Sequence, residues 1–158
     1  MRTTAGAWRV AVAALAAACA LGVALSGPSA LAQPAAVTAR DAWVREPSPS
    51  GNNTAMFVVL ENQGADRRAV VSASADLAGR AELHEMRMER GMMRMSPVAR
   101  IDVPAGGSTE LKAGGRHVML FDLKKRVAAG TSMVVTLTFD DGTKATVTAV
   151  VRKREWVP

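Results

Sequence analysis

Both histidines of the chain and six of its nine methionines fall between Glu82 and Leu123. Ten residues separate His84 from Met95, twenty-one separate Met95 from His117, and one separates His117 from Met119. These four side chains are neutral donors, and imidazole with thioether forms a borderline-to-soft ligand set. Such a set suits Cu(I) far better than Mg²⁺ or Ca²⁺, whose sites are built from oxygens. The residue types therefore predict a site for one Cu(I) ion, with His84, Met95, His117 and Met119 as its ligands.

The segment 116–121 has the composition of a β-strand, in which successive side chains alternate between faces. This alternation places His117 and Met119 on one face. Val118 and Leu120 then point the other way and can enter a core. The metal ligands therefore need not disturb the packing that holds their strand.

The segment 82–88 predicts a second strand with the same property. Its alternation puts three donors on one face: His84, Met86 and Met88. A hairpin through residues 89–91 would return Met93 and Met95 beside them. Four donors from three strands can thus converge on one ion.

Met86 shares the predicted face of His84, so it is a possible auxiliary ligand, with Met88 after it. Glu82 also shares that face and could accept a hydrogen bond from the imidazole. An ordinary exposed glutamate is the favoured interpretation of Glu82. Met56 and Met133 have no histidine near them in sequence and are predicted to lie in the core.

The spacing of the four ligands resembles that of periplasmic copper chaperones of the PCuAC type. The resemblance includes Glu82-Leu83-His84, residues 104–107 and residues 114–120, and more loosely residues 42–45 and 60–62. Ala113 stands where such proteins often have proline, and Arg116 where an aromatic residue is common.

The resemblance implies a cupredoxin-like Greek-key β-sandwich that carries Cu(I) in the periplasm and is not an enzyme. It also implies delivery of the ion to the copper centres of cytochrome c oxidase. The acceptor would be a protein with a dithiol site, such as a Sco-like protein or subunit II of the oxidase, and the carrier a monomer.

Residues 1–32 are predicted to be a secretory signal peptide. Arg2 and Arg9 are their only charges, an apolar run spans 10–25, and Ala30-Leu31-Ala32 predicts cleavage after Ala32. The apolar run is shorter than the roughly 20 residues of a membrane span. The mature chain, 33–158, is therefore expected to have no stable membrane insertion.

Cleavage would remove Cys19, the only cysteine, so the mature domain would have no thiolate ligand. Blue-copper electron transfer needs such a ligand, which argues against that class. Two alternatives to a chaperone stay open: a copper redox or resistance protein, and a metal-free β-sandwich that binds proteins through its methionines. The modest net charge of +4 left after residue 32 is spread along the chain, which does not favour nucleic-acid binding.

The mature length of 126 residues predicts one domain. Short runs rich in Val, Thr and Phe alternate with Gly, Asn, Asp and Pro, which predicts an all-β sandwich or barrel. Residues 76–79 are expected to form a single helical turn. The predicted strands are 37–44, 55–61, 68–75, 81–88, 92–97, 108–111, 117–123, 132–139 and 144–153.

Overall fold

The computed structural model describes residues 36–153. The predicted signal peptide 1–32, its cleavage after Ala32, and Cys19 lie outside the described residues, so these stay predictions. Residues 36–153 contain no helix, and hence none that is long and apolar enough to cross a membrane.

The described part of the chain forms ten strands. They are β1 Val37–Arg45, β2 Thr54–Asn62, β3 Arg68–Ala75, β4 Ala78–Glu89, β5 Met92–Pro97, β6 Ile101–Val103, β7 Ser108–Leu111, β8 Arg116–Leu123, β9 Ser132–Phe139 and β10 Lys144–Arg152.

All ten strands join one hydrogen-bonded sheet in the order β5-β4-β8-β2-β1-β10-β9-β3-β6, with β7 paired to β2. The sheet curls onto itself, because β3 and β4 lie far apart in this order and yet only two residues connect them. Buried side chains from both halves of the sheet form a single core. The predicted all-β, single-domain fold is confirmed, with continuous hydrogen bonding between its halves.

The core assignments made from strand alternation are also confirmed. Val118 and Leu120 on β8 are fully buried, while His117 and Met119 lie on the other face of the same strand. Met56 and Met133 are fully buried as well. The core face of β8 thus fixes the strand and leaves its opposite face free to carry donors.

The helical turn predicted for residues 76–79 is wrong. Asp76 and Leu77 form a tight turn, and β4 begins directly at Ala78. The Asp76 N–H donates to the Val134 carbonyl, and the Val134 N–H donates to the Asp76 carboxylate, both at 3.1 Å. These bonds to β9 hold the turn in a non-helical conformation. Strand β6 was not predicted either, because three residues are too few to show an alternating pattern.

Candidate metal centre

The hairpin of β4 and β5 carries Met86 and Met95 and sets how they meet. Arg90 and Gly91 connect the strands, and both have positive φ, at 50° and 79°. Two such residues define a type I′ turn, the tight connection that matches the twist of paired strands. The resulting register places Met86 directly opposite Met95. The predicted hairpin is therefore present and brings these two thioethers together.

On its other edge β4 pairs with β8, and this register aligns the histidines. His84 lies opposite His117, and Glu82 lies opposite Met119. The two imidazole ring centroids are 6.0 Å apart. The structure thus brings the predicted donors onto one face of three adjacent strands.

His117 is buried, with 4% of its surface exposed, and has a defined tautomer. Its Nδ1 lies 3.0 Å from the carbonyl oxygen of Gly115. Because a carbonyl only accepts, Nδ1 carries the hydrogen and Nε2 keeps its lone pair. That Nε2 lies 3.3 Å from the Met95 sulfur. A nitrogen and a sulfur donor therefore already face each other.

His84 is held in the opposite tautomer. Its Nε2 lies 3.0 Å from a carboxylate oxygen of Glu82, so Nε2–H donates to that oxygen. This hydrogen bond is the largest cause that lowers the pKa of Glu82, and the attraction to Arg80 lowers that pKa further. The carboxylate therefore stays charged. The His84 Nδ1 is buried and has no hydrogen-bond partner. The interpretation of Glu82 as an ordinary exposed glutamate is therefore wrong.

Both histidines thus share one arrangement, in which one ring nitrogen donates to a protein oxygen and the other is left free. Metal-binding histidines usually show this arrangement, because the outer hydrogen bond fixes the ring and its tautomer. Sequence analysis considered Glu82 for this role but missed Gly115. The position of Gly115, two residues before His117, is the only sequence signal that could have suggested Gly115 as a hydrogen-bond partner of His117.

Burial lowers the pKa of His117 below its usual 6.5, and the positive charge of Arg45, with that of His84 when it is protonated, lowers it further, whereas the bond to Gly115 raises it. The neutral ring is therefore favoured. An apolar wall contributes to this burial, since Phe57 lies 6.2 Å from His117 and Trp43 lies 4.5 Å from Phe57, measured between centroids. A bulge in β1 at Asp41, where φ is 55°, resets the register so that Trp43 pairs with Phe57.

A pocket of about 260 Å³ opens over these donors. Four of the five candidate ligands line it, namely Met86, Met95, His117 and Met119, together with Arg45 at the end of β1 and the loop residues Ser48 and Gly114. His84 is not part of the lining, and its ring centroid lies 6.0 Å from that of His117, which does line the pocket. Met95 is 49% exposed, so solvent reaches part of its side chain.

Within residues 36–153, no group of three or more His, Cys, Asp or Glu side chains could hold a metal ion. Among the described residues, an oxygen-rich or thiolate-rich site is therefore absent. The donor set available at the pocket is imidazole with thioether, which fits a soft cation such as Cu(I).

Comparison with known proteins gives one family match and two related sequences. The model of the family described as "Putative lipoprotein LpqE-like" matches residues 37–151. "Putative lipoprotein Lxx21020" of Leifsonia xyli is 34% identical over 112 residues, which are 70% of this chain and 66% of that protein. "Uncharacterized protein RP573" of Rickettsia prowazekii is 32% identical over 97 residues, 59% of this chain and 52% of that protein. The chain thus matches between half and two thirds of the length of these relatives.

Solved structures with a similar fold include two that span most of this chain. The apo PCuAC domain from PmoF1 superposes with a TM-score of 0.65 at 21% identity, over 75% of this chain and 95% of that domain. The Cu(I) form of DR1885 from Deinococcus radiodurans superposes with a TM-score of 0.56 at 31% identity, over 80% of this chain and 84% of that protein. The likeness to PmoF1 confirms the predicted PCuAC-type fold.

Proposed function

We propose that this chain, which belongs to the LpqE-like family, is a Cu(I)-binding metallochaperone of the PCuAC type. It holds one Cu(I) through His84, Met95, His117 and Met119, with Met86 as an auxiliary ligand. It carries the ion outside the cytoplasm and catalyses no reaction.

One observation carries this proposal. The free Nε2 of His117 lies 3.3 Å from the Met95 sulfur in a pocket that Met119 and Met86 also line. A buried imidazole nitrogen beside three thioethers is a costly arrangement without a ligand and a well-matched one for a soft monovalent ion.

The related structures support the same cargo. The 31%-identical DR1885 was solved with Cu(I) bound, and a PCuAC domain from PmoF2 was solved with copper. The lipoprotein names of the family and of the Leifsonia protein support a location in the cell envelope, in agreement with the predicted signal peptide.

A delivery role follows from the chemistry of the donors. Thioethers and imidazoles are neutral, and the half-exposed Met95 side chain gives an incoming group a route to a metal bound at the pocket. A pair of thiolates on an acceptor could therefore displace the ligands stepwise without unfolding the domain. An acceptor of this kind is a Sco-like protein or subunit II of cytochrome c oxidase, and the chain would take part in assembly of the oxidase copper centres.

Transfer kinetics test the delivery role. Protein purified from the periplasm and loaded anaerobically with one equivalent of Cu(I) is mixed either with a folded dithiol acceptor domain or with a small dithiol of matched affinity. The folded acceptor should extract copper faster, because docking places its thiols at the pocket. Equal rates would rule out specific docking, and failure of both to extract copper would make the protein a copper sink.

A further inference from the structure

The outer part of the β4–β5 hairpin carries three methionines that the proposed site does not use. Met88, Met92 and Met93 are 65%, 60% and 48% exposed. Such exposure excludes core packing as their role. Strand propensity does not explain them either, because strands favour β-branched and aromatic residues. Their exposed thioethers are therefore available to bind a ligand.

Two of the three lie on the donor face. Met88 pairs directly with Met93, two residues beyond the Met86–Met95 pair, and the register is unbroken from His84 to Glu89. Alternation therefore puts all four thioethers on the same face. Met92 pairs with Glu89 and belongs to the reverse face of the hairpin, where both line a separate surface depression.

Met88 and Met93 form a non-hydrogen-bonded pair, the type in which facing side chains lie closer together. The Met86 N–H donates to the Gly115 carbonyl, away from β5. Met86 and Met95 are therefore a non-hydrogen-bonded pair, and alternation makes Met88 and Met93 another. The side chains of such pairs approach more closely than those of hydrogen-bonded pairs, with Cβ atoms about 4.5–5.5 Å apart.

The charges of the hairpin leave this face open to a cation. Arg87 and Arg94 lie on the reverse face, where Arg87 contacts Glu85 at 2.6 Å and Arg94 contacts Glu89 at 3.5 Å. The paired positions of the donor face carry no Lys or Arg. A bound cation would thus contact two thioethers and would not be repelled by a positive side chain at the paired positions of that face.

We propose that Met88 and Met93 form a second, weaker site for one soft monovalent cation, Cu(I) or its analogue Ag(I). This inference rests on the proposed function, because the identity of the ion is taken from it. The pair lies two residues along the strands from Met86 and Met95, about 7 Å at the usual strand rise. An ion held there is within reach of the central donors through flexible methionine side chains.

Titration with Ag(I), followed by NMR of ¹³C-labelled methionine methyl groups, tests this site. The first equivalent should shift Met95 and Met119, and the second should shift Met88 and Met93 while Met92 stays unmoved. The double variant M88L/M93L should bind one equivalent instead of two. The M92L variant is the matched control, since it removes an equally exposed thioether from the reverse face and should keep both equivalents.

The two proposals fail in different ways. If Met88 and Met93 stay unmoved during the second equivalent, or if Met92 shifts with them, the second site is wrong. Loss of the second equivalent in M92L would also contradict it, because binding would then be unspecific. If Met95 and Met119 do not shift during the first equivalent, the central copper site is wrong whatever happens at the hairpin.

Discussion

His84 and His117 lie opposite each other on β4 and β8, and they present different ring nitrogens to the space around them. His117 has a free Nε2, because its Nδ1–H is bound to Gly115. His84 has a free Nδ1, because its Nε2–H is bound to Glu82. An ion shared by both rings would therefore use one nitrogen of each kind, and Glu82 determines this choice for His84.

The role of Glu82 gives the first prediction. The E82A variant should bind Cu(I) roughly 10–100-fold more weakly, the usual cost of losing such an outer hydrogen bond to a ligand histidine. E82Q should lose less, since its amide oxygen can still accept from Nε2–H. Competition with a chromogenic Cu(I) chelator measures the change. E89Q, further along β4 and on its reverse face, is the control, and an unchanged or higher affinity in E82A would rule out coordination through Nδ1.

Removing a thioether should discriminate between copper oxidation states. M95L and M119L should each lower Cu(I) affinity by about tenfold or more, which corresponds to about 1.4 kcal/mol. Cu(II) affinity should change less, because the lost donor is the soft one. The M92L variant should match the wild type for both ions. Equal losses for Cu(I) and Cu(II) would show that sulfur does not bind the metal.

Copper affinity should be nearly flat above neutral pH, because thioethers do not titrate. It should fall only when protons compete for the imidazoles. Burial lowers the pKa of His117, so its neutral form persists below pH 6.5 and competition at this ring begins below that value. Chelator competition from pH 5 to 9 measures the profile. A steep dependence between about pH 7 and 9 would instead indicate a thiol or amine ligand.

The two faces of strand β8 have different roles: one packs in the core, and the other carries the metal ligands His117 and Met119. L120A should lower the free energy of unfolding by about 2–5 kcal/mol, because it opens a cavity at a fully buried position. M119L on the opposite face should cost less than about 1.5 kcal/mol, since the volume is conserved. Denaturant unfolding of the apo proteins tests this. A larger loss in M119L than in L120A would mean that the donor face also supports the fold.

Alternation along single strands was enough to predict which residues share the donor face. It placed His117 and Met119 opposite Val118 and Leu120, and the predicted hairpin returned Met95 beside the face of Met86, although the direct pairing of these two residues was seen only in the structure. These properties depend on neighbours in sequence, which is why they could be predicted.

Features that depend on distant partners could not be predicted in the same way. The turn at Asp76 follows from its hydrogen bonds to Val134 on β9, and the wall beside His117 follows from the β1 bulge that aligns Trp43 with Phe57. The absence of His84 from the pocket lining likewise depends on how three strands meet.

X-ray absorption spectroscopy of the protein loaded with one equivalent of Cu(I) tests the central claim most directly. The proposed ligand set predicts a first shell that contains both nitrogen and sulfur, and M95L and M119L should each reduce the sulfur contribution. A first shell of oxygen and nitrogen alone would contradict the assignment of Met95 and Met119 as ligands.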